Sequence, residues 1–186
     1  MQAAALVPES EVVLVDVQAA GLEKAQQRAA ALGLSARVKI WCGPLAEFRP
    51  GCFDCGLCLH GCGALTDVAL RHCVAARAVF CLVPCCYGEL KEPCSRAFLS
   101  APFLDGQAFA HMARTAEHPG GDVGEHAEVG YVRTGPLPKR AMRALDVDRA
   151  LWLAEPEQGY RSTLARLVPY AFLPLFASTA CVLTAG

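Results

Sequence analysis

The 186-residue chain contains no G-x-G-x-x-G run, which excludes a dinucleotide-dependent dehydrogenase with the usual fingerprint. It has almost no net charge, −1 at neutral pH, so composition alone makes no case for nucleic-acid or membrane binding, and nothing points to DNA. No basic segment precedes an apolar run at Met1, so no signal peptide is expected and the protein reads as cytoplasmic. No internal repeat is visible. Charge is missing altogether from Leu167 to Gly186, a stretch long enough to cross a bilayer. Pro169, Pro174, Ser178 and Thr179 interrupt it, so strands closing a sheet are expected there rather than a membrane anchor.

What the chain does have is apolar residues. They make up 54% of it, enough for one domain with a real core over residues 1–186. There are eleven cysteines, lying inside strand-like apolar runs with no secretory leader, so reduced thiols are expected rather than disulfides.

The most informative stretch is Phe53 to Gly88. Phe53 to Leu59 reads as a strand ending on His60-Gly61-Cys62-Gly63, and Ala78 to Val83 as a second ending on Pro84-Cys85-Cys86-Tyr87-Gly88. Between them Leu70, Cys73 and Val74 repeat at helical spacing, with Thr66 as the expected N-cap and Asp67 at the positive helix end. Two apolar strands joined by a crossover helix form a parallel βαβ unit. Ligands of open parallel sheets bind beyond the carboxyl ends of the strands, so His60, Cys62, Cys85, Cys86 and Tyr87 should cluster there.

Upstream, Glu11 to Asp16 reads as a buried parallel strand, Leu22, Ala25, Ala29 and Leu32 as a helix ended by Gly33, and Arg37 to Trp41 as a strand. Downstream, Lys91 to Pro102 reads as loop and short helix, Gln107 to Ala116 and Lys139 to Ala154 as helices, glycine-rich His118 to Gly135 as a surface loop, and Tyr160 to Val168 as a strand. The class is α/β.

Asp16 ends its strand, where a carboxylate can accept both hydroxyls of an adenosine ribose; the alternative is an Asp capping the following loop or helix. Cys52, Cys55, Cys58 and Cys62 resemble an iron–sulfur run in spacing, but strand residues three apart face opposite sides, so small buried thiols are expected. His60, Cys62, Cys85 and Cys86 number enough for a zinc site. Adjacent Cys85 and Cys86 should point apart in an extended chain, so no metal is expected. Lys139, Arg140 and Arg143 read as a solvated helix face.

The motifs D-V-x5-L-E-K-A-Q-Q-R-A-A-A-L-G-L, F-D-C-G-L-C-L-H-G-C-G-A-L-T-D and V-P-C-C-Y-G resemble the methyltransferase domain of the glutathione S-transferase C-terminal domain-containing proteins, over roughly residues 11–168. More distantly, H-G-C-G-A-L-T-D-V-A-L-R resembles a stretch of eukaryotic tRNA 2′-O-methyltransferases, which hints at RNA as methyl acceptor. The resemblance implies a Rossmann-like, open, mostly parallel sheet of the class I methyltransferase type that binds S-adenosylmethionine (SAM). It assigns Asp16 to the ribose, Gly43-Pro44-Leu45 to the adenine side and His60-Gly61-Cys62-Gly63 to the methyl region. Pro84, Cys85, Cys86 and Tyr87 would line the substrate side. His60 is the candidate general base, since an unperturbed imidazole titrates near neutrality. Tyr87 would position the acceptor and Cys85 would be a methyl acceptor or acid/base.

Two departures stand out. Pro44 occupies a usually acidic position, and the glycine-rich first motif, with its strand and helix, is absent from the sequence. That strand normally lies between those of Asp16 and Phe53. The chain alone is therefore expected to bind SAM poorly, with Val12 to Val15 beside, or one strand-width from, Phe53 to Leu59. The rival readings are a non-catalytic methyltransferase-like interaction module and a cysteine-based metal-binding protein.

Overall fold

A computed structural model describes residues 2–117, 136–166 and 179–185. The chain divides into two compact units, Met1–Gly51 and Cys52–Gly186.

In the first unit, helix α1 (Gln2–Leu6) is followed by strand β1 (Val12–Asp16), helix α2 (Ala19–Ala31) and strand β2 (Val38–Cys42). β1 and β2 pair in parallel, with Asp16 opposite Cys42. Leu22 and Ala29 are the buried positions of α2. Gly33 ends that helix at φ +68°, a conformation that costs glycine little. Its N–H bonds the Ala30 carbonyl and the Leu34 N–H the Ala29 carbonyl, so the helix closes on a complete Schellman motif. Ala4, Ala29, Leu34 and Val38 form a small core, with Val12 and Leu14 against it.

The second unit begins with strand β3 (Cys55–Cys62), helix α3 (Leu65–Ala75) and strand β4 (Val79–Cys86). β3 and β4 are parallel, as a βαβ unit requires. Helices α4 (Arg96–Leu99), α5 (Gly106–Glu117) and α6 (Pro136–Leu153) follow, then strands β5 (Tyr160–Arg166) and β6 (Thr179–Ala185). The sheet order is β3-β4-β6-β5, with β6 antiparallel to both neighbours. The last strand thus enters the sheet between two earlier ones. β1 and β3 belong to different sheets.

The βαβ unit is present, but β3 and β4 run on to Cys62 and Cys86, through residues expected as strand-end turns, and Val74 is only partly buried. Leu70 and Cys73 of α3 are buried, as are Phe80 and Leu82 of β4. Tyr160 ties β5 to this layer: its ring lies 5.6 Å from Phe80, and its hydroxyl donates to the carbonyls of Cys73 and Ala78 at 3.3 and 3.2 Å. Gly56 leaves room for the Cys73 thiol, which a Cβ there would strike. Gly56→Ala should therefore destabilise this unit by about 1–3 kcal/mol through overpacking. In urea unfolding, Cys73→Ala added to Gly56→Ala should recover part of the loss, whereas strictly additive costs would show that the two positions do not compete for space.

Several expectations are corrected. Thr66 is not the N-cap of α3; Ala64 holds that position without a side-chain cap, and buried Thr66 donates instead to the Gly61 carbonyl at 2.7 Å. The Cys52–Cys62 thiols are not a buried set: Cys52, Cys55 and Cys62 are exposed, while Cys73 is buried. Leu57 and Leu59 of β3, an edge strand among the described residues, are likewise 67% and 68% exposed. Expected loop His118–Gly135 lies outside the described residues, as does 167–178 of the apolar tail. No described helix is long and apolar enough to cross a membrane.

Candidate functional site

Parallel pairing places all four strand ends of β1–β4 in two groups. In the first unit, the Gly43 N–H donates to the Asp16 carbonyl at 2.9 Å, so the Gly43-Pro44-Leu45 turn starts beside Asp16. Glu47 and Phe48 N–H groups close that turn on the Pro44 and Leu45 carbonyls. One Asp16 carboxylate oxygen accepts the Gln18 N–H at 2.9 Å, so the side chain does cap the following loop. The carboxylate remains exposed, and capping through one oxygen leaves the other available to a ligand hydroxyl.

In the second unit, regular pairing runs from Cys55 opposite Val79 to Leu59 opposite Val83, then jumps to Gly61 opposite Pro84 and Cys62 opposite Cys86. His60 and Cys85 are the extra residues of two successive bulges. Bulges interrupt the two-residue alternation of a strand and re-aim side chains. Here they overturn the expectation that Cys85 and Cys86 diverge. Cys62 and Cys85 Sγ are 3.0 Å apart and Cys85 and Cys86 Sγ 3.5 Å apart. The Gly63 N–H, bonded to the Cys86 carbonyl at 2.9 Å, holds the two strand ends together.

His60 takes φ +60°, an uncommon conformation for a residue with a side chain, and is exposed. It stands at the strand end but does not join the thiol cluster, which comprises Cys62, Cys85 and Cys86. Burial pushes the Cys85 and Cys86 thiols up from their ordinary range, with neighbouring sulfurs adding to the shift of Cys85. Cys85 is thereby held as a thiol near neutral pH, a poor methyl acceptor, since the thiolate is the nucleophile.

Tyr87 and Pro84 depart further from their expected roles. Both side chains are fully buried. The Tyr87 hydroxyl donates to the Asp146 carboxylate at 3.0–3.1 Å, and the Arg149 guanidinium lies 5.4 Å from its ring centroid. Tyr87 therefore braces the strand end rather than presenting its hydroxyl to an acceptor. Pro84 lines a cavity of about 10 Å³ with Thr66, Asp146 and Arg149, room for no more than a water molecule.

Two features were not legible in the sequence. Glu117, the last residue of α5, accepts the N–H groups of both Tyr87 and Gly88, the latter at 2.9 Å. An acid at a helix C-terminus opposes the helix dipole, so no local rule favours it; the two strand-end donors give it its partners. Beside this turn lies an open groove of about 660 Å³, lined among the described residues by Ala64, Gly88, Glu89, Leu90, Lys91, Ala110 and Arg114.

Residues 3–93 match the family of methyltransferase domains. The glutathione S-transferase C-terminal domain-containing protein homolog of Drosophila melanogaster is 31% identical over 177 residues, covering 90% of this chain and 28% of that protein. The corresponding Homo sapiens protein is 30% identical over 174 residues, covering 91% of this chain and 26% of its own length. The chain thus spans about a quarter of the length of the curated relatives it matches. Among solved structures, the apo form of the S-adenosylmethionine-dependent methyltransferase SibL aligns over 96% of this chain and 45% of its own, with a TM-score of 0.47 and 16% identity.

Proposed function

From its similarity to the glutathione S-transferase C-terminal domain-containing proteins, through a segment matching methyltransferase domains, we propose that this chain serves a SAM-dependent methyl transfer. The observation that carries the proposal is the meeting of the His60–Gly63 and Pro84–Gly88 segments at the carboxyl ends of parallel β3 and β4.

Bound SAM would supply an electrophilic methyl group. Asp16, with one carboxylate oxygen committed to the Gln18 N–H, would accept from the ribose through the other. The Gly43-Pro44-Leu45 turn would flank the adenine without a side-chain acceptor, since Pro44 offers none. His60 would take the acceptor's proton, and methyl transfer would otherwise depend on positioning.

The expected experiment is an amide chemical-shift titration with SAM. Shifts should appear at Gly61 to Gly63, with a dissociation constant in the millimolar range, because the chain holds no glycine-rich cofactor turn; Asp16, Gly43 and Leu45 of the first unit are followed separately. A spectrum unmoved by several millimolar SAM would favour a non-catalytic interaction module. The finer proposal is an RNA hydroxyl as acceptor, from the distant resemblance of His60 to Arg71 to tRNA 2′-O-methyltransferases; Lys91 and Arg114 line the groove beside Gly88 together with Glu89. A single-stranded RNA oligonucleotide should then shift residues 88–91 and 114, and no shift there would remove RNA from consideration.

A further inference from the structure

We propose that Cys62, Cys85 and Cys86 form a three-thiolate metal site that takes zinc, with no fourth protein ligand beside them among the described residues. Their sulfur atoms all lie within 4.8 Å of one another, with two of the separations 3.0 and 3.5 Å. Thiolates bound to zinc at roughly 2.3 Å in a tetrahedron sit about 3.8 Å apart, so the three sulfurs need rotamer adjustment and no rearrangement of the chain.

The backbone that presents them is braced on several sides. Cys62 and Cys86 are register partners across β3 and β4, and Cys85 is the bulged residue between Pro84 and Cys86. The Gly63 N–H holds the Cys86 carbonyl, Thr66 holds the Gly61 carbonyl, and Glu117 holds the Tyr87 and Gly88 N–H groups. A site whose ligands sit on sheet ends tied in this way is preorganised. Cys62 is exposed, which gives the ion an entry path.

The donor set selects the ion. Three soft thiolates exclude magnesium and calcium, which take oxygen ligands, and favour zinc or copper(I). Charge decides between these two. Three thiolates carry −3, and the Glu117 carboxylate accepts the N–H of Tyr87, the residue after Cys86. A divalent ion leaves −1 on the site, whereas copper(I) would leave −2 beside a carboxylate. Zinc binding would displace the three thiol protons to solvent, so affinity should rise with pH.

This inference does not depend on the methyltransferase reading, because its test involves no SAM. Protein purified with reductant and without chelator should carry one zinc per chain by elemental analysis after gel filtration. Cobalt(II) added to metal-free protein should give intense thiolate-to-cobalt charge-transfer absorption. Cys62→Ser and Cys86→Ser should each lose the zinc and that absorption, with folding checked by circular dichroism. Cys42→Ser and Cys52→Ser, exposed thiols outside the cluster, should keep both. Wild-type protein that neither retains zinc nor gives the cobalt band would overturn the proposal. So would full zinc retention in Cys62→Ser, or a Cys62–Cys85 disulfide persisting under reductant.

Discussion

Arg149→Met should destabilise the second unit by about 3–5 kcal/mol, the cost of removing one partner from a buried ionic group. Arg149 is 5% exposed. Its Nε donates to Asp67 at 2.6 Å and its Nη1 to Asp146 at 3.1 Å, so one guanidinium joins α3 to α6. Methionine fills similar volume, so the loss reads out charge and hydrogen bonding rather than a cavity. It strands Asp146 almost fully buried without its cation, and Tyr87 loses the guanidinium beside its ring. Arg149→Lys should recover only part of the loss, because one ammonium cannot reproduce the guanidinium fork toward both carboxylates. Urea unfolding followed by circular dichroism measures both variants. A change below about 1 kcal/mol in Arg149→Met would show that burial already costs the ion pair what it returns. Among the described residues, Nη2 of Arg149 is buried without a hydrogen-bond partner.

The second large effect concerns pH. Burial raises the Asp146 carboxyl to about 6, outweighing the attraction of Arg149 and the Tyr87 hydrogen bond. Asp67, the shorter contact, holds Arg149 in its charged form. The folded Asp146 pKa lies above the unfolded one, so the native state binds this proton more tightly. Its contribution to stability is fully present below the unfolded pKa near 4 and is lost as pH rises through about 6. That difference in proton affinity between the folded and unfolded chain corresponds to about 2–3 kcal/mol, at ~1.4 kcal/mol for each tenfold. Asp146→Asn removes the titration while keeping an oxygen acceptor for Tyr87. The stability difference, wild type minus Asp146→Asn, should fall by that amount between pH 4 and 7. A flat difference would mean that Arg149 keeps Asp146 ionised throughout.

These two residues mark a limit of sequence reading. Lys139 to Ala154 was legible as a helix from Met142, Leu145, Ala150 and Leu153; three of these are buried and Ala150 is partly so. Asp146 and Arg149 have nothing in their local sequence to set them apart from ordinary solvated charges. Their burial follows from α6 packing where β4 delivers Tyr87, which lies 59 residues from Asp146, while Asp67 lies 82 residues from Arg149. In the candidate site, Asp16, the Gly43 turn, His60 and the strand-end cysteines lie at the ends of parallel strands, as expected, because a βαβ pattern is readable over a short window. Tyr87 misleads for the opposite reason. A tyrosine after a strand end looks accessible until the element that buries it is in place, and that element arrives from far along the chain.

The sequence by itself determined strands β1–β5, helices α2, α3, α5 and α6, the parallel pairing of β3 with β4 and the glycine that ends α2, but not helix α1. Each rests on local periodicity or on one residue's backbone freedom. Only the tertiary structure decided the rest. β6 enters antiparallel between β4 and β5, with β3 at the edge of that sheet among the described residues. Two bulges, at His60 and Cys85, bring three sulfurs together that a regular strand would separate. Strand order and register slips are set by which distant surfaces bury one another, and a one-residue slip reverses the direction of every side chain beyond it.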